Sequence, residues 1–123
     1  IFDTIQMRGN SFALLGKPDE MKRHLERFHR MTTPGGLIVA QNRDPYDTDL
    51  SEHQEYHARN HHMGRMPGQA RIRVRYKRIV TPWIDFLMLS PNELGLLLEG
   101  TGWKIDEWLA AESGNYIAFL IKE

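Results

Sequence analysis

The feature that most constrains this chain is a strand, a helix and a second strand within its first forty residues. Phe2 to Met7 reads as a half-apolar strand, Gly9-Asn10 breaks it, and a helix is predicted from Pro18. Thr33-Pro34-Gly35-Gly36 then leads into Leu37 to Ala40, a continuous apolar run typical of a strand covered on both faces. Two strands joined by such a helix predict a right-handed parallel crossover, so the chain is expected to be α/β.

The first helix carries several start and stop signals. Pro18 suits the first helical position, and Asp19 and Glu20 complement the positive end of a helix. Met21, Leu25 and Phe28 recur on one face, as expected for an amphipathic helix. The segment from Met31 to Gly36 is expected to end it.

Polar segments follow the second strand. Residues 42 to 47 form a predicted loop at its carboxyl end, where ligands bind in open α/β sheets. A polar helix is predicted from about Leu50 to His62, with Thr48, Asp49 or Ser51 as its cap and Gly64 as its stop. Alternation of Arg71, Arg73 and Arg75 with apolar residues, a turn near Thr81-Pro82 and a strand from Trp83 to Leu89 then predict an antiparallel hairpin with one basic face.

The C-terminal third predicts one helix and a terminal strand pair. Ser90-Pro91-Asn92-Glu93 combines a capping box with proline at the first helical position, and Leu94, Leu97 and Leu98 form the buried stripe. Residues 103 to 110 and 116 to 121 are predicted strands, close enough in sequence to pair antiparallel. Four aromatic residues are assigned to the core: Trp103, Trp108, Tyr116 and Phe119.

Composition excludes several classes of protein. The chain has 123 residues, which suits one domain, and its 16 basic residues balance 16 acidic ones. Zero net charge gives no general attraction to nucleic acid or to anionic membranes, so neither partner is expected. The chain has no cysteine, so it has no disulfides and no thiolate chemistry, and a cytoplasmic location is expected. No apolar run approaches the roughly 20 residues that a membrane helix needs.

The order of these elements resembles the C-terminal half of class I, Rossmann-like methyltransferases that use S-adenosylmethionine. Phe2 to Ile5 looks like the fourth strand of that family, Pro34 to Val39 like the fifth, and the chain from Thr101-Gly102-Trp103 onward like the sixth and seventh. The resemblance covers nearly all of residues 1–123, with Asp47 to Leu89 as an insertion of one helix and one hairpin. The chain is therefore expected to be a single domain, the C-terminal fragment of a methyltransferase domain that begins inside a strand.

The resemblance implies an enzyme that transfers a methyl group from S-adenosyl-L-methionine to an unidentified acceptor. Members of the family bind the cofactor mainly with a glycine-rich loop after the first strand, an acidic residue after the second and a polar residue after the third. None of these has a counterpart here, so the isolated chain is expected to be inactive. Met7, Arg8 and Gly9 are the expected cofactor-binding residues of this chain.

Three residues are candidates for catalysis. Asn10 follows the first strand and could orient the acceptor, or it could simply be a turn residue beside glycine. Asp44 and Tyr46 lie where the resembling family lines its acceptor pocket, as a general base and a stacking wall. The alternative is that Asp44 and Pro45 only form a rigid turn.

The polar helix supplies the candidates for acceptor binding. His53, Tyr56, His57 and Asn60 recur at one-face spacing, and Arg65 could hold an acidic group of the acceptor. The alternative is an ordinary solvated helix. No metal site is expected, because the histidines have no thiolate or carboxylate partner in this pattern.

Two further expectations concern partners. A non-catalytic binding module, using the basic hairpin or the histidine-rich helix to hold an anionic partner or nucleic acid, is the alternative to an enzyme. Without the first half of the sheet, the first strand has a free edge and an uncovered apolar face. A homodimer that hides this surface is therefore predicted.

Overall fold

The computed structural model describes residues 1–123 and is built around one mixed sheet. Two short 3₁₀ turns, Ser11–Leu15 and Glu112–Gly114, complete the regular structure. In chain order the strands and helices are β1 (Phe2–Met7), α1 (Pro18–Met31), β2 (Thr32–Arg43), α2 (Ser51–His62), β3 (Gln69–Ile72), β4 (Arg75–Tyr76), β5 (Ile79–Val80), β6 (Ile84–Leu87), α3 (Pro91–Leu98), β7 (Trp103–Ala110) and β8 (Asn115–Lys122).

The main sheet has the strand order β1-β2-β8-β7. β1 and β2 are parallel and are joined by α1, whereas β8 runs antiparallel to both of its neighbours. This arrangement confirms the predicted parallel pair with its connecting helix and the terminal antiparallel pair. β1 forms one edge of the sheet, as expected from the sequence.

β2 begins at Thr32, directly after α1, and not at Leu37 as predicted. Phe2 pairs with Thr32 but Thr4 pairs with Leu37, so residues 33 to 36 lie opposite Asp3 alone. Proline has no N–H to donate and glycine relaxes the backbone, which explains why the ladder bulges here. The Thr33 hydroxyl donates to the Asp3 carboxylate at 3.0 Å and holds the bulge against β1.

Helices α1 and α3 cover one face of the sheet. Their buried residues Met21, Leu25, Leu94, Leu97 and Leu98 pack in one cluster with the strand residues of that face, which confirms both predicted apolar stripes. In that cluster the Trp103 indole N–H donates to the carbonyl of Leu25 at 2.9 Å, and the Tyr116 hydroxyl donates to the carbonyl of Leu89 at 2.6 Å. The Ser90 and Glu93 capping box also forms as predicted.

The opposite face of the sheet is only partly covered. Leu37 and Val39 are half-buried, and Leu109 and Ile117 are exposed, so the prediction that both faces of β2 are buried is wrong for this chain. Trp108, predicted to be in the core, is 47% exposed. It lies on the edge strand β7, beyond a register irregularity between Ile105 and Glu107. Its ring packs against that of Tyr116 in a T-shaped arrangement, with 6.0 Å between the ring centroids.

The insertion contains α2 and a hairpin in two sections. β3 pairs with β6, and β4 pairs with β5, both antiparallel. The turn lies at Lys77 and Arg78, with Lys77 in the left-handed region, and not at Thr81-Pro82 as predicted. Thr81 instead lies opposite Val74 in the hairpin. Its hydroxyl accepts from the Val74 N–H, and its own N–H donates to the Val74 carbonyl. Pro82 cannot donate to the ladder, which explains the interruption.

α2 begins after Leu50, which makes no side-chain cap. The prediction that Thr48, Asp49 or Ser51 caps the helix is therefore wrong, although the Thr48 hydroxyl accepts from the Leu50 N–H at 3.3 Å. Gly64 follows the helix in a left-handed conformation, as its predicted role requires. None of the three helices is both long enough and apolar enough to cross a membrane.

The Lys122 side chain ties the last strand to the end of α1. Its ammonium group donates to the carbonyls of His29 and Thr32, each at 2.8 Å. Because these bonds are charge-assisted and lie at a negative helix end, Lys122→Met is expected to lower the free energy of unfolding by about 1 to 2 kcal/mol. Urea unfolding measures this change. Lys104→Met, at an exposed position on β7, is the control, and equal stability of the two variants would contradict the expectation.

Candidate functional site

The exit of β1 lies beside the carboxyl half of β2. Met7 pairs with Ala40, and the Gly9 N–H donates to the Gln41 side chain at 2.9 Å. Gly9 and Asn10 both adopt left-handed backbone conformations, which turns the chain sharply into the 3₁₀ segment. Arg8 and Gly9 are exposed, whereas the Met7 side chain packs against the core. Of the three predicted cofactor residues, only Arg8 and Gly9 therefore face open space.

Asn10 combines a turn role with an unpaired polar atom. Its carbonyl accepts from the Ala13 N–H at 3.0 Å, as expected of a turn residue. Its side-chain Oδ1, however, is buried without a hydrogen-bond partner. Buried polar atoms without partners are uncommon, and strain, a functional role, or a bound water or ion accounts for them. The residue thus keeps an acceptor free at the end of β1.

Two hydrogen bonds of Asp44 hold the loop after β2 in a short turn. The Asp44 N–H donates to the Gly114 carbonyl at 2.8 Å, and the Asp44 carboxylate accepts from the Tyr46 N–H at 2.9 Å. This is the rigid turn that an Asp-Pro pair favours. Asp44 nevertheless lines two cavities.

Tyr46 is held by Glu93, at the start of α3. Its hydroxyl donates to the Glu93 Oε1 at 2.5 Å, while the Oε2 of the same carboxylate accepts from the Ser90 N–H. Burial, followed by the hydrogen bond to Glu93, raises the pKa of Tyr46 to about 12. The phenol is therefore protonated at neutral pH and acts as a donor, not as a base.

A cavity of about 380 Å³ lies between this loop, α2 and β3. The structure brings together four of the predicted site residues on its wall: Asp44, His53, Tyr56 and His57. Tyr46 contacts this group from the side, with its ring 6.3 Å from the His57 ring. The one-face spacing on α2 therefore places His53, Tyr56 and His57 toward a common space, together with the carboxylate at the end of β2.

The other two predicted acceptor residues lie elsewhere. Asn60 is buried, and its amide donates to the carbonyls of Pro67 and Gln69 at 3.1 and 2.6 Å, so it joins α2 to the start of β3. Arg65 is exposed and does not line the cavity. Asn60 has the same helical spacing as His53, Tyr56 and His57. Its side chain is buried, however, and its amide has a structural role.

Most residues of the cavity wall were not singled out from the sequence, and Arg43 and Met88 are among them. Asn42, also missed, is buried on β2 with both amide atoms unpaired. Arg43 directly precedes Asp44, so its position at a strand end was an available signal. Nothing in the sequence places Met88 beside α2. No group of three or more potential metal ligands is brought together.

Sequence comparisons find no matching protein-family profile and no matching curated protein. Comparison with solved structures does find matches. A SAM-dependent methyltransferase from Bacteroides fragilis, solved with S-adenosyl-L-homocysteine, matches 98% of this chain and 48% of its own, with a TM-score of 0.76 and 22% identity. The CcbJ methyltransferase from Streptomyces caelestis matches with a TM-score of 0.64 and 13% identity, over 98% of this chain and 61% of its own.

A SAM-dependent methyltransferase from Methanosarcina mazei matches with a TM-score of 0.64 and 15% identity, over 97% of this chain and 57% of its own. The chain has a class I methyltransferase-like fold. This confirms the predicted fold class. The chain spans about half to three-fifths of the length of these structures. In the methyltransferase-like fold, the cavity lies next to the carboxyl end of β2, the side of the sheet at which α/β proteins bind ligands.

The electrostatics of His57 can be tested directly. Burial lowers its pKa below 6.5, and the neighbouring His53 lowers it further, while Glu93 acts in the opposite direction. We expect an NMR pH titration of the His57 ring to give a midpoint below 6.5, and His53→Gln to move that midpoint upward. Because the unfolded chain then binds the proton more readily, this group favours folding above about pH 6.5 and loses that contribution as the pH falls.

A midpoint for His57 that is not below 6.5, or that does not move in His53→Gln, would contradict the burial of His57 in the cavity wall.

Proposed function

We propose that this chain is the acceptor-side portion of a SAM-dependent methyltransferase. The observation that carries the proposal is the match of nearly the whole chain to methyltransferase structures, combined with a cavity at the carboxyl end of β2. The methyl acceptor would bind in that cavity. Its identity is left open, because the cavity wall contains cationic, anionic and aromatic side chains.

The exit of β1 would form one wall of the cofactor site. Arg8 and Gly9 are exposed there, no atom lies within 4 Å of the position where a Cβ on Gly9 would be, and the Asn10 Oδ1 is unpaired. Open space and accessible backbone suit a polar ligand such as S-adenosyl-L-methionine, and the unpaired Asn10 acceptor follows directly in the chain. That cofactor, when bound, supplies a methyl group on a cationic sulfur, which a nucleophile displaces in line.

The α2 face and the loop after β2 would hold the acceptor. Tyr56 and His57 offer an aromatic wall, and His53 stands one turn from His57. Catalysis of this kind depends mainly on holding the nucleophile in line with the methyl group. Where the acceptor carries a proton, the Asp44 carboxylate or a neutral His57 can accept it, because burial keeps the pKa of His57 low. Tyr46, which stays protonated, would position His57 through their ring contact.

The remaining expectations about the intact protein stay predictions. The isolated chain is proposed to be inactive, because the glycine-rich loop and the acidic residue of the resembling family have no counterpart in it. A homodimer is proposed because β1 is an edge strand and Phe2, Leu109 and Ile117 are exposed. A cytoplasmic location rests on the absence of cysteine.

A non-catalytic binding module is the second candidate function. The observation that favours it is the hairpin, which exposes several arginines and apolar side chains at once. Binding of a methyltransferase product separates the two candidates, because a binding module would have no site for it.

Calorimetric titration of S-adenosyl-L-homocysteine tests the enzymatic proposal. We expect the full product of the gene to bind it and the isolated chain to bind weakly or not at all. In the full product, Asn10→Ala is expected to weaken binding by about tenfold, since it removes one hydrogen-bond acceptor to the ligand. Asn92→Ala, which removes an exposed amide, is the control. Absence of binding by the full product would overturn the proposal.

A further inference from the structure

The outer part of the insertion hairpin projects into solvent. Every residue from Arg71 to Val80 is exposed, and so is Trp83. This segment, residues 71–83, is called the basic hairpin below. It carries five cations, which are Arg71, Arg73, Arg75, Lys77 and Arg78, and it contains no acidic residue. Only Arg71 has an anionic partner, with 3.5 Å between its guanidinium and the Asp85 carboxylate.

The basic hairpin also exposes apolar side chains on one face. Tyr76 pairs with Ile79, so both side chains lie on the same face, and they are 66% and 70% exposed. Val74, two residues before Tyr76 along the strand direction, is 57% exposed. Adjacent exposed apolar groups of this kind are unfavourable in water and mark contact surfaces.

The cations surround this apolar face. Lys77 and Arg78 form the turn between Tyr76 and Ile79, and Arg75 lies opposite Val80 on the other face. Arg73 lies 4.6 Å above the ring of Trp83, which is itself 54% exposed. The basic hairpin therefore combines aliphatic groups, the exposed aromatic rings of Tyr76 and Trp83, and long basic side chains.

We propose that the basic hairpin docks reversibly on an anionic phospholipid surface. Aliphatic side chains at the tip enter the boundary of the acyl region, and tyrosine and tryptophan favour the headgroup level. Lysine and arginine stems lie along the apolar surface while their charges reach the anionic headgroups. Charge complementarity favours an anionic lipid surface as the partner, because the hairpin is cationic although the whole chain has no net charge.

Other occupants fit these observations less well. Bases of nucleic acids stack on aromatic faces, but Arg73 already covers the Trp83 ring and the other exposed groups are mainly aliphatic. Pairing with the hairpin of a second copy would bring like charges together.

The expectation that no membrane partner exists came from net charge and from the absence of a spanning helix. Neither property describes a local patch that only touches a bilayer surface, and this inference does not depend on the proposed enzymatic function.

Co-sedimentation with vesicles tests the proposal. Vesicles of phosphatidylcholine with phosphatidylglycerol are compared with phosphatidylcholine alone, at about 0.1 M and about 1 M NaCl, where the screening length falls from about 10 Å to about 3 Å. We expect the chain to bind only the anionic vesicles, and only at low salt. Arg75→Gln with Arg78→Gln is expected to weaken partitioning by about 25-fold, or about fivefold for each cation removed.

Tyr76→Ser with Ile79→Ser is expected to weaken binding to the anionic vesicles while keeping all the cations. Both side chains are exposed, so folding is expected to survive, and thermal unfolding checks this. Arg23→Gln with Arg27→Gln is the control, because it removes the same charge from the exposed face of α1 and is expected to leave vesicle binding unchanged.

Four results would overturn the proposal. The first is an absence of binding to the anionic vesicles, and the second is an equal loss of binding in the α1 control. The third is binding of a single-stranded RNA without binding of vesicles. The fourth is a change of oligomeric state in the Tyr76→Ser, Ile79→Ser variant, seen by light scattering without lipid, since that would assign the apolar face to a second copy of the chain.

Discussion

The pairing of β2 on both of its edges is the constraint on which the rest of the structure depends. β1 runs parallel to β2 on one side, which requires α1 as a crossover, and β8 runs antiparallel on the other side. Ile38 and Ala40 point toward the helices and are fully buried. Because strand residues alternate, this burial determines which face of every neighbouring strand meets α1 and α3.

The same pairing positions the candidate site. The carboxyl ends of β1 and β2 lie at one edge of the sheet, and the loop after β2 continues directly into the wall of the cavity. Two hydrogen bonds anchor that loop to distant parts of the chain, from the Asp44 N–H to Gly114 and from the Tyr46 hydroxyl to Glu93. The loop therefore has a fixed shape, and the insertion closes the cavity from the other side.

Glu93 connects this site to the stability of α3. One carboxylate oxygen completes the capping box with Ser90, and the other accepts from Tyr46. A residue that reads in the sequence only as a helix start signal thus also orients a side chain beside the cavity. This double role could not be predicted, because Tyr46 and Glu93 are brought together only by the fold.

Local signals predicted the elements well because they act over a few residues. Proline at the start of α1 and the Ser90 capping box each act within one turn, and both helices begin where expected. Features that depend on distant parts of the chain were missed. Trp108 is apolar and aromatic, yet its place on the edge strand β7 leaves it 47% exposed. Asn60 has the spacing of a ligand residue, but the chain returning at Gln69 occupies its amide.

The central proposal is that the end of β1 belongs to a cofactor site that adjoins an acceptor site in the cavity after β2. Chemical-shift mapping tests this most directly, with S-adenosyl-L-homocysteine titrated into the isotope-labelled full product of the gene. We expect the largest shifts in this chain at the backbone amides of residues 8 to 10, with smaller shifts in the loop from Asp44 to Tyr46. Shifts confined to the basic hairpin, or none within this chain, would contradict the claim.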